Sequence, residues 1–597
     1  MKKKYSILSF ICILLLNITN ISNAQIKIDY SLEMPKPHTH YFEVGMHLKN
    51  IEQAILNKGY LDIKMAVWTP GSYLVRDFAK NVEGMVAKVD NRSEKIIKIN
   101  KNTWRIKLKP QSKEVQVNYS VYAFELSVRT SFIDDSHGYL NPGSVFVYIN
   151  QLKNTPANLT ITPFKDWSTI TTGLKETSKN VFEIPNLDIL VDSPIEIGNQ
   201  KEYSFDVNGT VHKIGYYGDS KFDSTRLFSD MKRLCKTAID IYGEIPCKNY
   251  TFILIPTLNN YGGLEHLNST TCIFPRNFFE SEKTYKKILS LLAHEYFHLW
   301  NVKRLRPYAL GPFNYEAENI TSMLWFSEGF TSYYENYILR KSGLITSQDY
   351  LTNFVEDINI IENQSGTSIQ SVSESSIDAW IKFYKPNENS KNSTVSYYTK
   401  GAILGGILNM EILKNTNGTK NLDDFMQTMY QTYFVNLKKG FTDSEFKTSL
   451  EKFIGKKMDD FYEKCIYGTS PIDYNAAFDV VGLELNNVNE NSNSPYLGVS
   501  FTGNIVKFIA KDSPAYESGL NVNDEIISIN DKTEDPTKCI ATKKPGETIA
   551  IKLIRDGIQK NLKVELKRNT NKFYEFVIKP NRTSKQEELY NKWLNIN

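Results

Sequence analysis

Two histidines stand at a spacing that can hold a metal ion. His294 and His298 flank Glu295 in the run His-Glu-Tyr-Phe-His, inside a segment predicted to be helical from Lys283 to about Arg304. Residues four apart lie on one face of a helix, one turn from each other, so both imidazoles can bind a single tetrahedral ion. The alternative is a pair of buried histidines that only hydrogen-bond to their neighbours. The pattern favours a metal site.

A third ligand is expected thirty residues after His298. Glu328 is the only charged residue in the run 324–331, which is otherwise apolar or small and lies in a predicted helix from Asn319 to about Lys341. An unpaired carboxylate there would be costly, whereas a metal ligand would be satisfied. A partly exposed helix glutamate or a buried ion pair is the alternative. Two histidines and a glutamate are the zinc ligands of thermolysin-like hydrolases, so we predict one Zn²⁺ per chain.

Two further segments indicate which hydrolase this is. Gly262 and Gly263 precede Glu265 after a predicted strand, and glycines in an edge strand let a substrate backbone approach closely. Glu265 can pair with a free α-ammonium, or it can be a surface carboxylate in a loop. Tyr398 opens a later predicted helix, which runs to Leu413, and its phenol can donate to a tetrahedral oxyanion. Spacing alone favours a core aromatic for Tyr398.

These motifs together resemble the gluzincin aminopeptidases, and most closely the glycyl aminopeptidase family, which has a β-rich N-terminal domain and a C-terminal PDZ domain. The resemblance covers nearly all of the chain after residue 24 and rests on the segments Trp68–Tyr73, Gly262–His266, His294–Asn301, Glu328–Tyr334 and Tyr398–Gly401. It implies a zinc aminopeptidase acting on peptides with a free N-terminus. It also implies that small N-terminal residues, glycine and alanine, are preferred.

The resemblance also assigns roles within the site. Glu265 anchors the substrate amine together with the backbone of Gly262 and Gly263, and Tyr398 stabilises the transition state. Glu295 is next to a ligand without being one, and it acts as general base: it takes a proton from the attacking water and passes it to the leaving amine.

Two rival functions stay open at this point. A thermolysin-like endopeptidase would use the same zinc ligands but needs a cleft without an amine anchor, and Glu265 argues against it. A PDZ-type binding protein with a vestigial metal site is the other rival. The intact ligands and the intact Glu295 argue against that alternative.

Periodicity divides the chain into domains. Apolar and polar residues alternate over residues 25–205, which predicts an all-β N-terminal domain. Residues 206–485 predict a thermolysin-like, mostly α catalytic domain. Residues 495–568 predict a PDZ-like, β-rich domain, and residues 569–597 a tail with a helix from Ser584 to Leu594. The expected fold class is multidomain α+β.

The PDZ resemblance has one departure. Amides near Leu497 and Gly498 are placed to form a nest for a C-terminal carboxylate. The segment from Pro536 to Lys544 lacks helical patterning, so the helix that walls the peptide groove is not expected. The sequence therefore leaves open whether this domain captures a peptide or only supports the fold.

Residues 1–24 have the form of a signal peptide. Three lysines precede a short apolar run, and Ser22-Asn-Ala24 supplies the small residues of a cleavage site. The apolar run is too short to span a bilayer. We predict export to the periplasm or the medium, without a transmembrane anchor in the mature chain.

Charge and cysteine content exclude other classes. The formal net charge of +4 drops to +1 when the three leader lysines are removed, which argues against a nucleic-acid binder. The five cysteines beyond the leader are sparse and scattered, which is not a disulfide framework. A bond between Cys235 and Cys247 stays open, and the sequence does not indicate an oligomeric state.

Overall fold

The computed structural model describes residues 25–219 and 221–596. The predicted signal peptide lies outside the described residues, so export stays a prediction. The described chain has an all-β N-terminal domain, a mainly helical catalytic domain and a β-rich PDZ region, which confirms the multidomain α+β fold class. Among the described residues, no helix combines the length and the apolar character needed to cross a membrane.

The N-terminal domain is built from sheets whose strands bury every second side chain. Strand Lys27–Glu33 pairs antiparallel with Tyr41–Lys49 and parallel with Ala157–Thr162. This alternation is the period expected of half-buried strands, and it forms the core of the domain. The remaining strands are Tyr60–Met65, Val82–Val89, Arg92–Glu94, Ile96–Asn100, Thr103–Lys107, Glu114–Tyr122, Phe132–Ile133, Gly138–Leu140, Val147–Tyr148, Thr169–Thr172, Lys175–Ser178, Val181–Ile184 and Ile195–Gly198, and the short helices are Gln53–Leu56 and Leu187–Val191.

The catalytic domain begins with a mixed sheet. Its strands lie side by side in the order Lys201–Val207, Thr210–Tyr216, Asn249–Thr257, Ser269–Pro275 and Gly262–Glu265. The first of these strands crosses the predicted domain boundary at residue 205. The last one, called the edge strand below, pairs antiparallel with its neighbour on one side only. Its other side is free to pair with an extended peptide.

Helices cover this sheet and contain most of the candidate site residues. Three are named here by their functional residue: the histidine helix Glu282–Phe297, the glutamate helix Gly329–Lys341 and the tyrosine helix Tyr397–Asn415. The other helices of the domain are Ser224–Tyr242, Leu324–Ser327, Ser347–Glu362, Val372–Ile377, Ser390–Ser393, Leu422–Met429, Asp443–Ile454, Asp459–Phe461 and Tyr474–Phe478.

The histidine helix is shorter than predicted. It ends at Phe297 with His298 as its C-cap, whereas the sequence predicted a helix to about Arg304. Two local features follow its end: Nδ1 of His298 is 2.9 Å from the carbonyl oxygen of Asn301, and Val302 has a φ of 93°. A β-branched residue with positive φ is incompatible with a continuing helix.

The predicted helix from Asn319 to Lys341 is also wrong in its continuity. It starts only at Leu324, and Glu328 separates the short helix Leu324–Ser327 from the glutamate helix. Glu328 has a φ of −98°, so the metal-ligand candidate lies at a break in the helix and not in its middle.

Two glycines allow the tyrosine helix to pack closely against the glutamate helix. A Cβ on Gly329 would lie 2.5 Å from Cα of Gly401, and a Cβ on Gly401 would lie 2.4 Å from the carbonyl oxygen of Trp325. Only glycine fits at such a backbone contact. Because Gly329 follows Glu328 and Gly401 is three residues after Tyr398, this crossing brings the two functional segments together.

The PDZ region contains a helix that the sequence analysis missed. Helix Pro536–Ala541 is capped by the Asp535 side chain, which accepts from Lys538 N at 3.0 Å. Cys539 and Ile540 are buried in the core of the domain. The helix is too short for its periodicity to show. The other elements are the helix Pro514–Glu517 and the strands Pro495–Tyr496, Val499–Thr502, Ile505–Ile509, Glu525–Ile529, Thr548–Arg555, Ile558–Glu565 and Lys567–Arg568.

The chain returns to the catalytic domain after the PDZ region. Strand Tyr574–Ile578 pairs with Leu483–Asn487, and the predicted C-terminal helix is confirmed as Ser584–Trp593. Trp593 is buried in the catalytic core. The PDZ region also touches this domain through Asn392, whose Nδ2 donates to the carbonyl oxygen of Ile509 at 2.9 Å. Each cysteine in the described part of the chain is a free thiol.

Candidate metal centre and active site

The structure brings the three predicted metal ligands together. Nε2 of His294 and Nε2 of His298 are 3.1 Å apart. Oε2 of Glu328 is 3.4 Å from Nε2 of His298 and 3.8 Å from Nε2 of His294. In a tetrahedral zinc site with metal–ligand distances of about 2.0–2.2 Å, ligand atoms are about 3.4 Å from one another. The residues present therefore fit a zinc ion.

Each ligand is held in place by a second group. Nδ1 of His294 is 2.8 Å from Oε2 of Glu335, and Nδ1 of His298 bonds to the carbonyl oxygen of Asn301. These partners fix the tautomer with the proton on Nδ1, which leaves the lone pair of each Nε2 atom available to bind a metal. Oε1 of Glu328 accepts from the hydroxyl of Tyr73 at 3.1 Å. Tyr73 comes from the N-terminal domain, so that domain helps to build the centre.

The electrostatics favour positive charge where the ligand atoms converge. Burial would lower the pKa of His298, but the carboxylate of Glu328 outweighs it and raises this pKa above its ordinary value. Burial would likewise raise the pKa of Glu328, but the two imidazoles outweigh it and hold this pKa well below its ordinary value. Glu328 therefore stays ionised and available to a cation.

A second group of potential ligands shares one histidine with the first. Glu265, Glu295 and His298 offer atoms that all lie within 4.8 Å of one another. Both carboxylates are buried. Zinc sites with two histidines and one carboxylate match the group His294, His298 and Glu328. Glu265 and Glu295 are then available to interact with a substrate.

Glu295 packs against the edge strand. A Cβ on Gly263 would lie 2.0 Å from Oε1 of Glu295, so the carboxylate fills the space that a side chain would need. Oε2 of Glu295 is buried without a hydrogen-bond partner among the described residues. Burial raises the pKa of Glu295 to about 7. A buried oxygen with no protein partner, next to a metal site, is placed to accept a proton from a water molecule.

The N-terminal domain closes the cleft next to Glu265. A Cβ on Gly71, which has a φ of +84°, would lie 2.6 Å from Oε2 of Glu265. Behind Glu265, Nδ1 of His266 and Nζ of Lys303 contact Oδ1 of Asp192 at 3.0 and 2.7 Å. The loop around Gly71 thus covers one end of the edge strand, while Asp192 fixes that end from behind.

Two neighbouring phenols differ in their surroundings. Tyr397 is fully buried, whereas Tyr398 is half-buried and its ring lies 6.3 Å from the ring of His294. Among the described residues, the ring contact with a metal-ligand histidine is made by Tyr398, while the charge of Glu328 acts on both phenols. Burial raises the pKa of Tyr398 well above its ordinary value, so its hydroxyl stays protonated and can donate. Tyr384 lies nearby, and its ring packs 6.0 Å from that of Tyr73.

Comparison with protein-family models decides the family. The model of the peptidase M61 N-terminal domain matches residues 29–199, and the model of the M61 glycyl aminopeptidase matches residues 287–404. The chain carries the N-terminal and catalytic domains of the M61 glycyl aminopeptidase family. A PDZ domain model matches residues 482–566. These matches support a metallo-aminopeptidase, as the resemblance of the motifs predicted.

One solved structure shares the fold of nearly the whole chain, and others are only remotely similar. An aminopeptidase N family protein from Idiomarina loihiensis is 28% identical with a TM-score of 0.88, and the match covers 95% of this chain and 100% of that one. An M1 zinc metallopeptidase from Deinococcus radiodurans is 13% identical with a TM-score of 0.43, over 72% of this chain and 92% of that chain. No curated protein matches the chain.

Sequence reasoning missed several residues of the site. Glu335 follows Glu328 by seven residues, which is two helical turns, so its place on the same face was detectable. Tyr73 and Gly71 lie in a motif that the family resemblance included, but no role was assigned to them. Their contacts with the centre depend on how the N-terminal domain docks, for which the local sequence holds no signal.

Proposed function

We propose that this protein is a zinc aminopeptidase that removes small N-terminal residues, glycine and alanine, from peptides with a free amino terminus. One observation carries the proposal: Glu265 lies next to Glu295 and His298, at an end of the cleft that the Gly71 loop closes. A buried carboxylate at a closed end suits the ammonium group of a chain terminus. A chain that continued past this point would meet the N-terminal domain.

His294, His298 and Glu328 would hold the zinc ion. When bound there, zinc would lower the pKa of a water molecule and polarise the scissile carbonyl. The protein's own groups do the rest. Glu295 accepts a proton from the attacking water and delivers it to the leaving nitrogen, and Tyr398 donates a hydrogen bond to the oxyanion.

The space at Glu265 supports a preference for small residues. A cavity of about 20 Å³ adjoins Glu265 and is lined by Trp68, Pro70, Gly71 and Tyr73, among others. This volume holds about one water molecule. A cavity of this size beside Glu265 suits the hydrogen of glycine or the methyl group of alanine better than a larger side chain.

Blocking the substrate's amino terminus tests this proposal. Alanine and glycine p-nitroanilides and trialanine should be hydrolysed, and a chelator should stop the reaction until zinc is returned. N-acetylation removes the charge that Glu265 is proposed to bind, so kcat/KM should fall by about 10²-fold or more, because hydrogen bonds to charged groups contribute about 1.5–3 kcal/mol and the register is lost as well. The measurement is the ratio of kcat/KM for the free and the acetylated substrate.

Two outcomes would favour the rivals. Efficient internal cleavage of acetylated peptides would indicate a thermolysin-like endopeptidase. A zinc-loaded protein that hydrolyses none of these substrates would indicate a binding protein, with the PDZ region as its functional part.

A further inference from the structure

A loop of the N-terminal domain places an arginine at the far end of the edge strand. In this loop, residues 126–130, Val128 packs with Leu264 in a small apolar cluster, and Nδ2 of Asn260 donates to the carbonyl oxygen of residue 126 at 3.1 Å. A Cβ on Gly262 would lie 3.6 Å from Nη1 and 3.8 Å from Nη2 of Arg129. The guanidinium of Arg129 therefore lies directly over Gly262, at a fixed position.

Among residues 25–219 and 221–596, neither this arginine nor a second one, Arg76, forms an ion pair with a carboxylate. Nε of Arg129 and Nε of Arg76 are both buried without a hydrogen-bond partner in the described part of the chain. The one side-chain hydrogen bond found for Arg76 there is a long one of 3.4 Å to Oγ of Ser72. Burial lowers the pKa of Arg76, and the neighbouring charge of Arg129 lowers it further, while Glu125 partly offsets both effects. A guanidinium with a buried nitrogen is normally paired through that nitrogen, so two such groups close to each other need an explanation.

Electrostatic interactions connect both arginines to a tyrosine near the metal centre. Burial raises the pKa of Tyr384, and the charge of Arg129 opposes this shift, while Glu328 and Glu265 add to it. Tyr384 also acts on the charge of Arg76. The pair therefore lies within electrostatic range of a side chain that borders the metal centre.

The position of Arg129 along the edge strand determines which part of a bound peptide it would contact. Glu265 is at the end proposed for the substrate amine, and Gly263 lies against the general base Glu295, hence at the scissile bond. Gly262 is one residue further from Glu265, about 3.3 Å along the strand. Arg129 thus lies on the leaving-group side, within one or two residues of the bond that is cut.

We propose that Arg129 and Arg76 form a subsite for the C-terminal carboxylate of short peptides, so that the enzyme acts preferentially on dipeptides and tripeptides. The inference rests on the proposed aminopeptidase function and specifies its substrate class. A planar guanidinium can form two parallel hydrogen bonds to a carboxylate. The two guanidinium groups, which have no carboxylate partner among the described residues, can together bind the C-terminal carboxylate of a peptide. Binding both ends of a short peptide fixes its register over Glu295.

Trialanine and trialanine amide, which differ only at the C-terminus, test the subsite. For the wild-type holoenzyme, kcat/KM for the acid should exceed that for the amide by about 10- to 100-fold, the ratio expected for a charge-assisted contact. Arg129→Gln should reduce this ratio at least about tenfold, and Arg76→Gln should also lower it. Arg92→Gln, an exposed arginine of the same domain, should keep the wild-type ratio.

A binding measurement separates failure of the subsite from failure of the proposed function. Calorimetry with the zinc-loaded Glu295→Gln protein compares the two peptides without turnover, and the acid should bind about 10-fold or more tightly. Equal affinities for the acid and the amide, or equal kcat/KM values for them in the wild type, would overturn the subsite. Hydrolysis of alanine p-nitroanilide by the same protein would still support the aminopeptidase function. Absent hydrolysis with tighter binding of the acid would overturn the function and leave the carboxylate site standing.

Discussion

Glu295→Gln is expected to keep one zinc ion per chain and to lose nearly all turnover, with kcat reduced by about 10²–10⁴-fold. The amide has the shape of the carboxylate but cannot accept a proton. In the structure, the Glu295 carboxylate fills the space over Gly263, and one of its oxygens has no partner among the described residues. Zinc content and single-turnover kinetics measure the two parts of this prediction.

The zinc content of the same variant distinguishes the two potential ligand groups. If zinc were held by Glu265, Glu295 and His298, the substitution would remove a ligand and release the metal. Glu282→Gln provides the matched control, because Glu282 lies in the exposed first turn of the same helix and pairs with Arg226. It should leave zinc content and kcat unchanged. A Glu295→Gln protein with wild-type activity would show that another group is the base.

Tyr398→Phe should reduce kcat by about 10²–10³-fold, or about 3–4 kcal/mol, with much less effect on KM. The hydroxyl is proposed to donate to an oxyanion that exists mainly in the transition state, so its removal should not weaken ground-state binding. Zinc content should stay the same, because the phenol is not a ligand. Steady-state kinetics on alanine p-nitroanilide, together with metal analysis, provide the measurement.

Tyr397→Phe is the internal control for that result. Tyr397 is fully buried and its hydroxyl has no hydrogen-bond partner among the described residues, so loss of this hydroxyl should change stability little and leave kcat nearly unchanged. Tyr384 is a further phenol near the centre, as is Tyr73, which bonds to Glu328. If Tyr398→Phe is silent and Tyr397→Phe or Tyr384→Phe abolishes turnover, the oxyanion donor has been assigned to the wrong tyrosine.

Local sequence was sufficient for the parts of the site that depend on helical spacing. His294 and His298 share a face whatever the rest of the chain does, and Glu328 stood out as a lone charge among apolar neighbours. The predicted end of the histidine helix was wrong, because the turn after His298 depends on a contact with Asn301 and on the positive φ of Val302.

The contribution of the N-terminal domain was beyond sequence reasoning. Tyr73 bonds to Glu328 across 255 positions, and Gly71 covers Glu265, which is also far away along the chain. Such contacts are fixed by the docking of two domains, and neither periodicity nor spacing reports on docking. Arg129 was missed for the same reason, since its loop reaches the edge strand only in the folded chain.

Zinc content of the ligand variants tests the central claim most directly. Wild-type protein should contain one zinc ion per chain, whereas His294→Ala, His298→Ala and Glu328→Ala should each lose zinc and activity together, since all three atoms converge on one point. Elemental analysis of dialysed, folded protein gives the number of zinc ions per chain. Wild-type zinc content in any of the three variants would contradict the account, because the ion would then be held elsewhere.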